Sequence, residues 1–176
     1  MSAWIGPAIV AALIGCLTTM LGWSVSYRQL RNLELVKRKE KIVDYQTALR
    51  AEIRSYRARF EYMNPIAYRD AIIALIETDP SFTPFLPLET PLLIFSEIAK
   101  EIHILPTEVI DTVVLFYAQA AMIVQLTMDL RSEDFHDLAR DRKAGLYQDY
   151  YSVLLYTRKL ADEALDRLEN GLNNPA

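Results

Sequence analysis

The sequence predicts an all-α protein in which a single N-terminal transmembrane helix continues into a cytoplasmic antiparallel helical bundle, and three observations carry that reading. Residues Ala3 to Trp23 contain no charged side chain. No Gly or Pro interrupts the chain from Ser24 to Asn64. Beyond Pro65, apolar residues recur every three or four positions between proline and capping signals, and no segment alternates convincingly enough for a strand. Length and composition agree: 176 residues, 52% apolar and 24% charged with 5 Gly and one Cys, suit one modest domain and exclude collagen-like, disulfide-stapled and low-complexity chains.

The first element, AWIGPAIVAALIGCLTTMLGW, supplies about twenty helical residues, enough at 1.5 Å each to cross the hydrocarbon core. Trp4 and Trp23 stand at its ends, where indole rings favour the headgroup interface. A cleaved secretory signal would need a basic n-region, a shorter apolar core and a small-x-small site, and none is evident. Residues 1–23 are therefore expected to be a retained anchor. Arg28, Arg31, Lys37, Arg38, Lys39 and Lys41 all follow the span, which places the remainder on the cytoplasmic side. That layout looks like small bacterial envelope proteins and suggests the bacterial inner membrane, although no motif points to a family. Ala8, Ala12, Gly15, Thr19 and Gly22 stack along one helix face and could let a second helix approach. Cys16 lies mid-span and reads as a small packing residue.

Charge divides the rest in two. Residues 24–60 hold 10 Lys or Arg and 4 Asp or Glu, whereas 61–176 hold 9 and 19. The first part, taken as a basic juxtamembrane stalk helix over 24–63, suits anionic lipid headgroups, each basic residue near the surface being worth about 1 kcal/mol. At 1.5 Å per residue its length would be roughly 60 Å. Leu35, Ile42, Leu49, Tyr56 and Met63 keep a seven-residue interval, but the companions Tyr45, Ile53 and Phe60 drift, which favours packing on a domain over a coiled-coil seam. Arg50, Arg54, Arg57 and Arg59 then form its solvated face.

The acidic domain, 64–176, begins at Asn64-Pro65 with a cap and an N1 proline, and a well-buried short helix follows over 66–77. The stretch from Thr78 to Pro91 carries Pro80, Pro84, Pro87 and Pro91, so a loop is predicted. Its Phe82, Phe85, Leu86 and Leu88 make it either a strap plugging the bundle or a partner-binding segment. Helices are expected over 91–104, capped by Thr90, and 106–131. The uncharged run from Thr112 to Met128 reads as a buried central helix and not a second span, since it is short and includes Gln119 and Gln125. A last helix is expected from Glu133, capped by Ser132, to about Glu169, ending at Asn170-Gly171.

Chemistry is hard to find. Two histidines and one cysteine remove zinc fingers and thiol motifs, and Glu133-x-x-His136 lacks the second Glu/His pair and extra carboxylates that a di-iron bundle needs. No phosphate loop, dinucleotide fingerprint or nucleophile motif is present, so no cofactor and no enzymatic activity are expected, although Glu97, Glu101 and Glu108 could converge in a pocket. Among the tyrosines of the last helix, Tyr147 and Tyr150 fit the apolar stripe, whereas Tyr151 faces elsewhere and joins Phe82, Phe85 and Leu86 as a partner-contact candidate. The expected role is a single-pass membrane scaffold or accessory subunit that docks a protein partner or another copy of itself. The runner-up is a membrane-tethered nucleic-acid-binding or regulatory factor using the basic stalk, although the net charge of −4 speaks against nucleic acid.

Overall fold

The computed structural model describes residues 5–60, 65–79, 82–86 and 92–173. Among these the chain is helical and contains no strand: α1 (Ile5–Ala58), α2 (Pro65–Thr78), α3 (Leu93–Ile98), a 3₁₀ segment (Ala99–Ile104), α4 (Thr107–Leu130), α5 (Glu133–His136) and α6 (Arg140–Asn173). The chain divides into two compact units, 1–41 and 42–176.

In the first unit every described side chain from Ile9 to Glu40 is exposed, including Leu13, Leu17 and Leu21 at 59–65%. Such a helix, apolar on all sides over its first part, is long and apolar enough to cross a membrane. Its threonine hydroxyls are satisfied internally: Thr18 Oγ1 donates to the Ile14 carbonyl at 2.9 Å and Thr19 Oγ1 to that of Gly15 at 2.8 Å.

The second unit begins inside α1, because from Ile42 onward one apolar face is covered while Val43 and Ala51 stay exposed. Leu49 and Ile53 are fully buried and Tyr56 nearly so, whereas Leu35 is half exposed. The division of the two compact units thus falls after Lys41, and residues from Ile42 to Phe60 of the expected stalk contribute to the domain core. Helix α1 ends at Ala58, and the expected cap at Asn64 lies outside the described residues.

Helices α2 and α4 both pack on α6. The core runs through Ile72 and Ile76 of α2, Val113, Phe116 and Ile123 of α4, and Tyr147, Leu160 and Leu168 of α6. Buried hydroxyls of Thr127 and Thr157 donate to the carbonyls of Ile123 and Val153, so they add no unsatisfied group. At the end of α2, Arg140 Nη1 donates to the Glu77 carbonyl at 2.8 Å, filling one of the acceptors a helix terminus leaves open.

Three expectations change. Ser132 does cap, its Oγ accepting from the Phe135 amide at 3.3 Å, but it caps only the four-residue α5, and the long helix starts afresh at Arg140. The expected helix 91–104 is α-helical only over Leu93–Ile98 and tightens to 3₁₀ before Pro106, which cannot donate to continue it. Thr90 and Pro91 lie outside the described residues. Finally, α6 runs through Asn170-Gly171 to Asn173, and no described glycine has positive φ.

Gly171 instead allows close approach. A Cβ there would lie 2.7 Å from Nε2 of Gln46, a side chain only 1% exposed that would have to shift to admit it. Gly145, also within α6, faces open space. Gly145→Ala is therefore expected to stabilise the domain by about 0.5–1 kcal/mol through backbone entropy. Gly171→Ala is expected to destabilise it by about 1 kcal/mol through overpacking. Thermal melts of the full chain in detergent, monitored by circular dichroism, would sink this account if both variants moved in the same direction.

Candidate functional site

The residues expected at a membrane interface are mostly exposed. Trp4 lies outside the described residues, Trp23 is 77% exposed, and Arg28, Arg31, Lys37, Arg38, Lys39 and Lys41 are all exposed. Of the small-residue face, Ala12, Gly15 and Thr19 line one open apolar groove with Cys16, Met20 and Trp23, while Gly22 has empty space before it and the side chain of Ala8 is not described.

The arginine cluster is partly paired, with Arg54 and Arg59 exposed and Arg50 and Arg57 half-buried. Arg54 Nη2 pairs with Glu169 at 2.7 Å, Arg57 Nε pairs with Asp162 at 2.6 Å, and Arg59 lies over the Tyr56 ring at 5.4 Å. Two cations of the basic stalk are thus matched by carboxylates of α6, which weakens their electrostatic attraction for nucleic acid. Lys143, close in sequence to the tyrosines of α6, is buried with its ammonium 5.9 Å from the Phe135 ring centroid.

Partner-contact candidates separate. Phe85 is 82% exposed, Phe82 is half-buried against the core, and Leu86 is buried, its carbonyl accepting from Arg131 Nη1 at 2.7 Å. Thr83 Oγ1 lies 3.0 Å from Nδ1 of His136, a hydrogen bond whose direction follows the imidazole tautomer. The described part of the loop is therefore strapped beside α5 and presents only Phe85.

Tyr151 is a correction. It is 3% exposed, because Tyr68 of α2 covers that side of α6 with ring centroids 6.3 Å apart, and Tyr147 and Tyr150 lie 5.3 and 5.6 Å away. Burial pushes the Tyr151 phenol up to about 12 and holds that of Tyr147 well above its ordinary value. The unfolded chain releases such protons near pH 10 and the folded chain only higher, so the stability they contribute is full below about pH 10 and is lost as pH rises toward 12. Alkaline titration should show phenolate absorbance from the buried tyrosines rising together with loss of helix. Independent, non-cooperative titration of every tyrosine would contradict the buried cluster.

One polar node, Glu52, is absent from the candidates that motif and spacing supply. It sits within the apolar stripe of α1 between Leu49 and Ile53, and its carboxylate accepts from the amides of Ile94 and Phe95 at 2.8 and 3.1 Å and from the Tyr117 hydroxyl at 2.7 Å. Burial, then this hydrogen bond, raises the Tyr117 phenol far above its usual value and keeps it protonated as a donor. Glu52 caps α3 from another helix, which Leu92 at the N-cap position cannot do. An acid inside an apolar stripe was the signal. Glu101 is likewise engaged, accepting from Tyr45 at 2.7 Å, while Glu97 and Glu108 are exposed. Among the described residues no three His, Cys, Asp or Glu side chains group as metal ligands would.

The largest departure concerns α4, expected to be buried. Its inward face is core, but Val114, Leu115, Met122 and Met128 are 42–49% exposed, with Ala118 and Ala121 exposed between them. Gln125 is exposed too and donates to Asp129 at 2.9 Å, and Gln119 is half-buried, so neither amide needs a partner inside the core. Beside the C-terminal end of this face lies a cleft of about 260 Å³ lined by Leu126, Leu130, Phe135, Leu138 and Leu146 with Asp129, Ser132 and Asp134 at its polar edge. Helices α1 and α4 are both long and apolar enough to cross a membrane, but α4 commits one face to the domain core. No family model, no curated protein and no solved structure matches this chain.

Proposed function

We propose that this is a single-pass membrane protein of the bacterial inner membrane whose C-terminal domain, an antiparallel helical bundle on the cytoplasmic side, docks a protein partner as a scaffold or accessory subunit without catalysing a reaction. The observation that carries the reading is the outward face of α4, an uncharged apolar surface longer than isolated exposed residues produce on monomers. The uncovered apolar N-terminal helix and the Lys and Arg residues that follow it support the anchor and the orientation. Phe85 adds a second accessible apolar side chain on a strapped loop.

Cross-linking of the full-length protein in native membranes, followed by mild-detergent purification and mass spectrometry, tests it. A stoichiometric protein partner, with the chain retained in the pellet through alkaline carbonate extraction, is the expected result. Recovery of the chain without any partner, or its release by carbonate, would refute the reading.

A further inference from the structure

The geometry points to the outward face of α4 as the docking surface, and to its occupant as a partner's apolar helix bearing Lys or Arg at both ends of its contact stripe. This deepens the docking reading above and rests on it.

The shape of the face comes first. Asp111, Ala118, Gln125 and Asp129 follow one line along α4, since 18 residues make about five turns and bring the two aspartates to the same azimuth. Val114, Leu115 and Met122 rise on either side of Ala118, all at least 42% exposed. A small residue flanked by larger ones offers a groove into which the ridge of another helix fits at close interaxial distance. The cleft of Leu126, Leu130 and Phe135 opens beside Asp129 and offers a socket for one apolar anchor at that end.

Charge then selects the occupant. From Thr112 to Met128 the helix has no charged residue, and α4 as a whole contains no Lys or Arg, while Asp111 and Asp129 close the stripe about 27 Å apart. Gln125 holds Asp129 in place through its 2.9 Å hydrogen bond. A second copy of this chain would set Asp against Asp in either direction: parallel pairing joins each aspartate to its twin, and antiparallel pairing joins Asp111 to Asp129. Like charges across an interface disfavour that partner. A lipid surface is disfavoured by the same acids, because helices that lie on anionic membranes carry Lys and Arg beside the apolar face. A helix with an uncharged stripe and cationic ends spaced about 18 residues apart complements both features at once.

The test places a photo-crosslinking side chain at Ala118 and, separately, at Phe85 in the full-length protein in native membranes, and maps adducts by mass spectrometry. The expected adduct from Ala118 is a segment of a different protein that is uncharged at helical spacing and flanked by Lys or Arg. Asp111→Lys with Asp129→Lys should lower its yield about tenfold, about 1.4 kcal/mol, with an unchanged thermal melt. Adducts of Ala118 to another copy of the chain, to lipid or to nothing would overturn the proposal, as would a yield indifferent to the charge reversal. If Phe85 or the cross-linking of the unmodified chain still captures a protein while Ala118 captures none, the α4 assignment fails and the docking reading stands. If no position captures a protein, both fall.

Discussion

Truncating Phe116 to alanine is expected to destabilise the protein by about 3–5 kcal/mol, the range for removing a large aromatic side chain from a close-packed core. Phe116 is 0% exposed and sits where two helices meet. Its ring packs edge-on against Tyr56 of α1 at 5.3 Å and 79°, and against Tyr117 at 4.9 Å and 74°. The deletion loses both aromatic contacts and leaves a cavity in a core where Ile53 and Val113 are also fully buried. Against a total stability of about 5–15 kcal/mol for an ordinary domain, that is a large fraction. Leu115→Ala, one residue away on the 44% exposed side, should cost less than about 1 kcal/mol. Denaturant unfolding of the full chain in detergent checks the pair; equal losses at the two positions would mean that the two faces of α4 are wrongly distinguished.

Glu52→Ala should cost about 3 kcal/mol, since it removes the acceptor of three hydrogen bonds to a charged group and leaves the hydroxyl of the buried Tyr117 without it. The effect should be local before it is global. Helix α3 loses its only described N-terminal cap, and Phe95, stacked on Tyr117 at 4.0 Å and 10°, loses the anchor that holds its backbone there. Hydrogen exchange at the Ile94 and Phe95 amides should accelerate in the variant while exchange in the middle of α6 changes little. Glu52→Gln, which keeps one acceptor oxygen, should fall between alanine and the native chain. Unchanged exchange at those two amides would show that the carboxylate is not their cap.

Much of the fold is legible in the chain. Helices are written by local rules: an uncharged run before Trp23, an apolar stripe from Leu49 through Phe60, and proline at 65 and 106. The helical stop and restart near residue 137 is not legible, because Ser132 is a sound cap and nothing in the composition of 133–145 says that the helix it opens lasts only one turn. Tyr151 is misplaced by its pattern for a related reason. Periodicity locates the centre of a helix's buried face but not its width, and the width is set by how many neighbours arrive, here Tyr68 of α2.

Residue order alone dictates the all-helical class, the uncharged N-terminal helix with its trailing cations, and the scarcity of catalytic motifs, because each depends on residue types within one or a few turns. Tertiary packing decides that the carboxylate of Glu52 caps a helix more than forty residues away, that two stalk arginines are matched by Glu169 and Asp162, and that α4 keeps one apolar face in the open. A helix apolar on both sides reads from its sequence as buried. Only the count and placement of the helices around it show that one side is left uncovered, and burial is a property of neighbours, which no local pattern specifies.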